Sequence, residues 1–118
     1  VCLFGCGGDR DRSKRAEMGA IAERGADRIF ITSDNSRSER TEDIMEDIRK
    51  GLSPAGLAKT ICIADRREAI RAAITLSPAS STILLAGKGH ETYQILGREK
   101  LHFDEKEIVL ETFDTIKD

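Results

Sequence analysis

The sequence predicts an α/β fold: a Rossmann-like, mostly parallel sheet with helices on both faces and an antiparallel hairpin near the C-terminus. Short apolar runs alternate with helical stretches of roughly ten to fifteen residues, which is typical of a parallel sheet. The strand-like runs are continuously apolar, as in strands that are buried on both sides. At 118 residues the chain is long enough for one core, so we expect a single domain over residues 1–118.

Two strand–helix units are predicted in the first half of the chain. In order they are a strand at 1–5 (VCLFG), a helix at 13–24, a strand at 28–32 (RIFIT) and a helix at 41–51. Met18, Ile21 and Ala22 recur at helical spacing in the first helix, and Gly25 is a plausible stop. Thr41 is the expected N-cap of the second helix, because acidic residues follow it in the first turn.

The second half adds two more strands, two helices and a hairpin. In order they are a strand at 59–64 (KTICIA), a helix after Asp65, a strand at 82–87 (TILLAG), a hairpin around Gly97 and a helix after Asp104. Asp65 and Glu68 resemble a capping box. TILLAG is the clearest buried strand of the chain. Asp104 and Glu107 are expected to cap the last helix. Its apolar residues are Val109, Leu110, Phe113 and Ile116.

Composition excludes several classes of function. The formal net charge is -2 and aromatic residues make up 4% of the chain, so neither a basic nor a base-stacking nucleic-acid surface is expected. No apolar run is long enough to span a membrane. Cys2, Cys6 and Cys62 are odd in number and poorly spaced for zinc, so we expect reduced, buried thiols, no metal and a cytoplasmic location. The chain opens without Met in a strand already under way, which predicts a domain cut from a longer protein.

Three predicted loops at one edge of the sheet carry most of the functional side chains. They follow the first, second and fourth strands and read GCGGDRDRSKR, SDNSR and GKGHE. Ligands of parallel α/β sheets bind outside the carboxyl ends of the strands, where these loops lie. The connections at the opposite edge, SPAGLAK and SPASS, carry almost no such side chains. This asymmetry predicts a binding site at the carboxyl edge.

The two glycine-containing loops lack nucleotide fingerprints. The first has neither the G-x-G-x-x-G nor the Walker A spacing, and GKGHE lacks the Ser or Thr of a P-loop. Arg10 is a candidate contact for an anionic ligand at a glycine-rich turn, although the charged run there could also be a solvated helix start. His90 is a candidate metal ligand or base, although no partner has the right spacing.

The SDNSR loop suggests an amino-acid ligand. Asp34 or Asn35 could form an Asx-turn that explains the loop by itself. Arg37, however, is suited to hold a carboxylate through two hydrogen bonds. Glu91 on the neighbouring loop would suit an ammonium group. A carboxylate beside an amine describes an amino acid.

These motifs resemble a known family. FGCGGDRDRSKR, DNSR and LLAGKGHETYQ are similar, in order and spacing, to the C-terminal domain of the Mur ligases, particularly those that add meso-diaminopimelate. The resemblance implies a cytoplasmic bacterial enzyme of peptidoglycan synthesis. It uses ATP and Mg²⁺ to turn a carboxylate of UDP-N-acetylmuramoyl-L-alanyl-D-glutamate into an acyl phosphate, which the amine of the incoming amino acid attacks. The C-terminal domain holds the amino acid and closes over a nucleotide that the central ATPase domain of the same chain binds.

The resemblance also implies roles for individual residues. The implied diaminopimelate-binding set is Arg10, Asp34, Asn35, Ser36, Arg37, Gly87 and Glu91. Arg10 would hold one carboxylate and Arg37 the distal carboxylate. The Gly87 carbonyl and Glu91 would hold the distal amine, and Asp9 would lie near the nucleotide phosphates. No catalytic residue is assigned, and without a P-loop in these residues the isolated domain is expected to be inactive.

One position departs from the family pattern, and several alternatives stay open. Ser36 stands where the family usually has Pro, which would stiffen the loop. Lysine-adding relatives lack the Arg of this loop, so Arg37 favours diaminopimelate. The alternatives are a lysine-adding ligase, a domain like that of folylpolyglutamate synthase, and a non-catalytic small-molecule-binding module. A receiver-like signalling domain would use Asp34 as phosphoacceptor with Asp9 and Lys88 nearby.

Overall fold

Helices and strands alternate along residues 1–88 and 91–117, which this computed structural model describes. In order they are β1 Cys2–Phe4, α1 Ser13–Gly25, β2 Ile29–Ile31, α2 Thr41–Arg49, α3 Pro54–Ala58, β3 Thr60–Cys62, α4 Arg66–Leu76, β4 Leu84–Leu85, β5 Tyr93–Leu96, β6 Glu99–His102 and α5 Glu105–Lys117.

Four parallel strands form the main sheet in the order β3–β2–β1–β4. Leu3 of β1 pairs with Phe30 on one side and with Leu85 on the other. The last two strands, β5 and β6, form a separate antiparallel hairpin that turns at Gly97, whose φ is +62°. The predicted mostly parallel sheet with a late hairpin is confirmed.

Helices cover both faces of the sheet, as predicted. Because successive strand residues point to opposite faces, Leu3 and Phe4 belong to different clusters of the core. The cluster toward α4 and α5 consists of Leu3, Phe30, Ala69, Ile70, Ala73, Phe103 and Ile108. The cluster toward α1 and α2 consists of Phe4, Ile29, Ile31, Ile44, Met45, Ile48 and Leu52.

Of the predicted apolar face of α1, only Ala22 packs against the core. Met18 and Ile21 are 38% and 59% exposed, whereas Arg15 and Gly19 are buried. The reason is a close helix crossing: a Cβ at Gly19 would lie 2.4 Å from the carbonyl oxygen of Ile48 in α2. Backbone contact and the ion pairs of Arg15, rather than apolar side chains, therefore decide which face of α1 is inside.

The last helix also buries only part of its predicted apolar set, since Val109 packs against the core. Leu110, Phe113 and Ile116 are exposed, whereas Ile108 and Thr112 are buried. Ile108 and Thr112 lie four residues apart on one face of α5. Within the described residues α5 packs mainly against α4.

The strand predicted as most buried is an edge strand. Only Leu84–Leu85 of TILLAG pairs with the sheet, and Leu84 is 59% exposed because β1 is its only strand neighbour among the described residues. An apolar run by itself does not distinguish a central strand from an edge strand. The cysteines were also predicted too deep: Cys62 is exposed, and Cys2 and Cys6 are half-buried free thiols.

Two helix starts differ from the predictions and one agrees. The helix α3 lies in SPAGLAK, which was predicted as a loop; Ser53 caps it by accepting a hydrogen bond from the Gly56 amide. The N-cap of α2 is Arg40 rather than Thr41, without a side-chain cap. Asp65 caps α4 as predicted, since its carboxylate accepts from the Glu68 amide at 3.3 Å. None of the helices in the described ranges is long and apolar enough to cross a bilayer.

Candidate functional site

A cleft of about 580 Å³ opens at the carboxyl edge of the sheet. Strand order reverses there, because β2 and β3 lie on one side of β1 and β4 lies on the other. Residues from all three predicted loops line the cleft, among them Gly7 and Arg10 after β1, Asp34 after β2 and Gly87 after β4. The structure thus brings three predicted site residues, Arg10, Asp34 and Gly87, to the crevice where parallel sheets bind ligands.

The glycine turn after β1 packs against the second loop. The Gly8 amide donates to the Asn35 carbonyl at 2.8 Å, and a Cβ at Gly8 would lie 1.8 Å from the Ser36 carbonyl oxygen. A Cβ at Gly5 would likewise lie 2.4 Å from the Thr32 carbonyl oxygen. Gly5 and Gly8 permit contact between two backbone segments of the protein, and Gly5 and Gly7 line the cleft.

Arg37 is held in an unusual backbone conformation, with a φ of +53°. Two bonds to the hairpin fix it: its amide donates to the Ile95 carbonyl at 3.3 Å, and its carbonyl accepts from the Gly97 amide at 2.8 Å. The guanidinium Nη1 donates to the carbonyls of Gly8 at 3.1 Å and Asn35 at 3.3 Å. The backbone therefore aims this half-buried side chain at the glycine turn.

Arg10 and Arg37 approach the same glycine. The Cβ position of Gly7 lies 3.2 Å from Arg37 Nη1 and 3.6 Å from Arg10 Cδ. Arg10 is exposed and makes no ion pair with another residue in the described ranges. The side chains of Arg10 and Arg37 thus both approach the cleft wall at Gly7, and a guanidinium group suits a carboxylate.

The middle of the second loop is buried and bonded within the protein. Asn35 and Ser36 are 7% and 3% exposed. The Asn35 side-chain oxygen accepts from the Ile95 amide at 2.9 Å and from Lys88 Nζ at 3.1 Å. Asp34 Oδ1 accepts from the Asn35 amide at 2.9 Å, a bond to the next residue rather than the bond two residues on that defines an Asx-turn.

The sequence analysis placed Lys88 near Asp34 only in the receiver-like alternative and gave it no role in the amino-acid site. Its side chain is fully buried, and its Nζ lies 3.0 Å from Asp34 Oδ1 and 3.7 Å from Glu91 Oε1. Glu91 Oε2 also accepts a hydrogen bond from the Tyr93 hydroxyl at 3.2 Å. The two acids nearest the proposed amine site therefore already share a protein ammonium. The signal available in the sequence was a lysine close after an apolar strand. The sequence analysis compared GKGHE with a P-loop, rejected that motif and did not consider the lysine for the amino-acid site.

Two buried arginines were also missed. Arg15 donates from Nη2 to the Gly7 carbonyl at 3.1 Å and pairs with Glu39 at 2.8 Å and Asp47 at 2.9 Å. Hydrogen bonds from Arg15 and from the Asp9 amide lower the pKa of Glu39 to about 2. Arg66 is buried beneath the loops that follow β2 and β4. The sequence analysis assigned no role to either arginine, because buried partners far along the chain leave no local signal.

Of the remaining candidate residues, Asp9 lies apart from the cleft and His90 lies outside the described residues. Asp9 has a φ of +56°, and its carboxylate accepts from the Ser38 amide at 3.3 Å and from the Ser38 hydroxyl. It lines a second opening of about 620 Å³ with Glu39 and Arg40, separate from the cleft at Gly7. Within the described ranges no three His, Cys, Asp or Glu side chains are grouped to hold a metal.

The chain is similar to a set of bacterial ligases. It is 53% identical over 107 residues to UDP-N-acetylmuramoyl-L-alanyl-D-glutamate--2,6-diaminopimelate ligase of Thermosynechococcus vestitus, a match that covers 91% of this chain and 21% of that protein. The protein of the same name from Leptospira borgpetersenii is 47% identical over 113 residues, covering 96% of this chain and 22% of the relative. The chain thus spans about a fifth of the length of these curated relatives.

Structural comparison and a family model agree with these relatives. A solved structure described as UDP-N-acetylmuramoyl-L-alanyl-D-glutamate--2,6-diaminopimelate ligase superimposes with a TM-score of 0.93 at 39% identity, covering 99% of this chain and 24% of that one. Residues 1–89 match the model of the family described as "Mur ligase, glutamate ligase domain". The relatives, the solved structure and the family model all agree with the parallel sheet and its loops described above. The chain therefore belongs to the Mur ligase family.

Proposed function

We propose that residues 1–118 are the C-terminal, amino-acid-selecting domain of an ATP-dependent ligase. The ligase adds meso-2,6-diaminopimelate to UDP-N-acetylmuramoyl-L-alanyl-D-glutamate. The relatives whose names carry this activity support the substrate assignment. The observation that supports it best within the chain is the convergence of Arg10 and Arg37 on Gly7 beside the cleft that Asp34 and Gly87 also line.

The arginines would recognise carboxylates of diaminopimelate. Only Nη1 of Arg37 is bonded to protein carbonyls, and in the described part of the chain Nε and Nη2 have no hydrogen-bond partner. A carboxylate could accept from these nitrogens through two bonds. Lysine has no distal carboxylate, so it would leave the half-buried Arg37 without a ligand partner.

The acids would recognise the amine. Gly87 lies beside Asp34, since a Cβ there would be 3.2 Å from Asp34 Oδ2, the oxygen that Lys88 does not bind. This carboxylate oxygen, the Gly87 carbonyl and Glu91 are our proposed acceptors for the distal ammonium group. In this proposal Asn35 and Ser36 form the floor of the site, because both are buried and Asn35 is bonded to the hairpin.

The described residues do not fit a nucleotide site by themselves. The Gly8 amide is already bonded to Asn35, and the space beside Gly8 is filled by Ser36, so the glycine turn is no phosphate cradle. We therefore place ATP and Mg²⁺ mainly on the central domain of the same protein. We also propose that the whole ligase acts in the cytoplasm. Asp9 remains our proposed contact near the phosphates, and Arg10, Asp11 and Arg12 follow it in the sequence.

The test is phosphate release by the full-length ligase with ATP and UDP-N-acetylmuramoyl-L-alanyl-D-glutamate. Meso-diaminopimelate and L-lysine are supplied separately as the third substrate. We expect release with diaminopimelate only. Arg37→Ala should weaken use of diaminopimelate about tenfold to a hundredfold, because a hydrogen bond to a charged group contributes roughly 1.5–3 kcal/mol.

Two further variants sharpen this result. Arg37→Gly relieves the positive φ while removing the same guanidinium, so it should match Arg37→Ala if the side chain reads the carboxylate. Arg49→Ala removes an exposed arginine of α2 and should change nothing. Release with lysine, or a preference for diaminopimelate that survives both Arg37 variants, would contradict the proposal.

A further inference from the structure

Arg66 connects the two loops that flank the candidate site without lining its cleft. The residue is 1% exposed and stands at the first position of α4. Its Nη1 donates to the Ser33 carbonyl at 2.9 Å and its Nη2 to the Ala86 carbonyl at 3.0 Å. Ser33 directly precedes Asp34, and Ala86 directly precedes Gly87. One guanidinium therefore binds the carbonyls directly before Asp34 and Gly87.

The sheet itself does not fix the distance between these loops. The strands β2 and β4 never pair, because β1 lies between them. The last bonds that tie them to β1 run from the Thr32 amide to the Phe4 carbonyl at 3.0 Å and from the Ala86 amide to the Leu3 carbonyl at 2.9 Å. Beyond these bonds Arg66 bridges the two segments at their base, in addition to Lys88, whose Nζ reaches Asp34 Oδ1 and Asn35 Oδ1.

The third donor of Arg66 is also engaged. Nε lies 3.1 Å from Glu105 Oε2, and the two side chains are 0% and 8% exposed. The planar guanidinium thus meets three acceptors from three segments in one fixed geometry. A lysine ammonium keeps the charge that Glu105 requires, but as a compact point charge it cannot reproduce this fork.

We propose that Arg66 is a positioning residue for amino-acid selection. It holds Asp34 and Gly87 at one separation, so that both sides of the cleft meet the same ligand. This inference rests on the proposed function for the identity of the ligand, diaminopimelate. The coupling between the two loops rests on the geometry alone.

The first test is Arg66→Lys in the full-length ligase, assayed by phosphate release. We expect the KM for meso-diaminopimelate to rise about tenfold, because small misplacements of binding groups have large kinetic effects. The KM values for ATP and for UDP-N-acetylmuramoyl-L-alanyl-D-glutamate should stay within about twofold. Equal rises for all three substrates, or no rise for diaminopimelate, would overturn the proposal.

Two control variants separate positioning from general destabilisation. Arg67→Lys changes the adjacent, partly exposed arginine, which pairs with Glu111, and should leave all three KM values unchanged. Ile108→Val removes one methyl group from the core beneath α5 and lowers stability away from the loops. If Ile108→Val raises the KM for diaminopimelate as much as Arg66→Lys at a similar loss of melting temperature, Arg66 has no special role.

A second measurement needs no ligand. Amide hydrogen exchange of the full-length protein should become faster in segments 33–37 and 86–88 together in Arg66→Lys, and in neither segment in Arg67→Lys. Faster exchange confined to α4 and α5, or to one loop, would overturn the coupling. If the unaltered ligase releases no phosphate with diaminopimelate, the proposed function fails, and hydrogen exchange still decides the role of Arg66.

Discussion

Buried cations at the carboxyl edge of the sheet and exposed cations on the outer helix faces behave differently. Arg15, Arg66 and Lys88 are each at most 2% exposed, and each contacts a loop of the candidate site. Arg49 and Arg71 form pairs with acids three residues earlier in their own helices, at 3.3 Å and with all partners 44% or more exposed. The same kind of ion pair thus connects distant segments in one region and adjacent turns in the other.

The difference follows from solvent. A buried charge loses its hydration, so the fold must supply partners, and those partners fix the segments that carry them. An exposed pair is screened by water and contributes little. The buried cations therefore determine the shape of the site, whereas the exposed ones mainly maintain a polar surface. Three measurements test this contrast, in order of expected effect.

The largest effect is expected from Lys88→Met. The variant leaves Asp34 and Glu91 without their shared cation, and removing one partner of a buried pair costs about 3–5 kcal/mol of unfolding free energy. Since Glu91 is 37% exposed, we expect a value near the lower end. Urea unfolding measures it, with Lys50→Met, a 67% exposed lysine paired with Asp47, as the control. Equal losses of unfolding free energy in Lys88→Met and Lys50→Met would contradict the proposed difference between buried and exposed cations.

An intermediate effect is expected from acid acting on Glu39. Its pKa falls from an ordinary 4.5 to about 2 because Arg15 and the Asp9 amide donate hydrogen bonds to it. The folded state therefore binds this proton less readily than the unfolded state. The resulting stability is complete above about pH 4.5 and is lost as the pH falls toward 2.

Glu39→Gln should remove this part of the acid sensitivity. Unfolding free energies measured from pH 6 to pH 2 should fall less steeply for the variant between pH 4.5 and pH 2 than for the unaltered protein. Asp47, whose pKa Arg15 also lowers, leaves a residual slope. Parallel curves for the two proteins would show that Glu39 carries no special charge interaction in the folded state.

The smallest effect is expected from Arg71→Ala. Its pair with Glu68 is exposed on both sides, so we expect at most about 0.5 kcal/mol of lost unfolding free energy. Thermal unfolding with and without 1 M NaCl checks this, because salt screens an exposed pair and should abolish the small difference. A loss above about 2 kcal/mol would place the exposed pairs in the same class as the buried ones.

Much of the fold could be predicted from local patterns. The alternation of apolar runs with amphipathic stretches predicted the elements in order except for α3, and Asp65 capped its helix as its residue type indicated. The predictions failed where the number of neighbours mattered. Leu84 lies on an edge strand and Phe113 on an exposed helix face, because a run of apolar residues does not show how many elements will pack against it.

The sequence by itself determined the parallel α/β architecture, the edge at which the loops gather and the residue types that suit an amino acid. Only the tertiary structure decided which charges are buried. Arg66 meets acceptors 33, 20 and 39 residues away, and Lys88 reaches Asn35 across 53 residues. Hydrophobic period and capping act within a few turns of chain, whereas the burial of a charge depends on partners that only the folded sheet brings together.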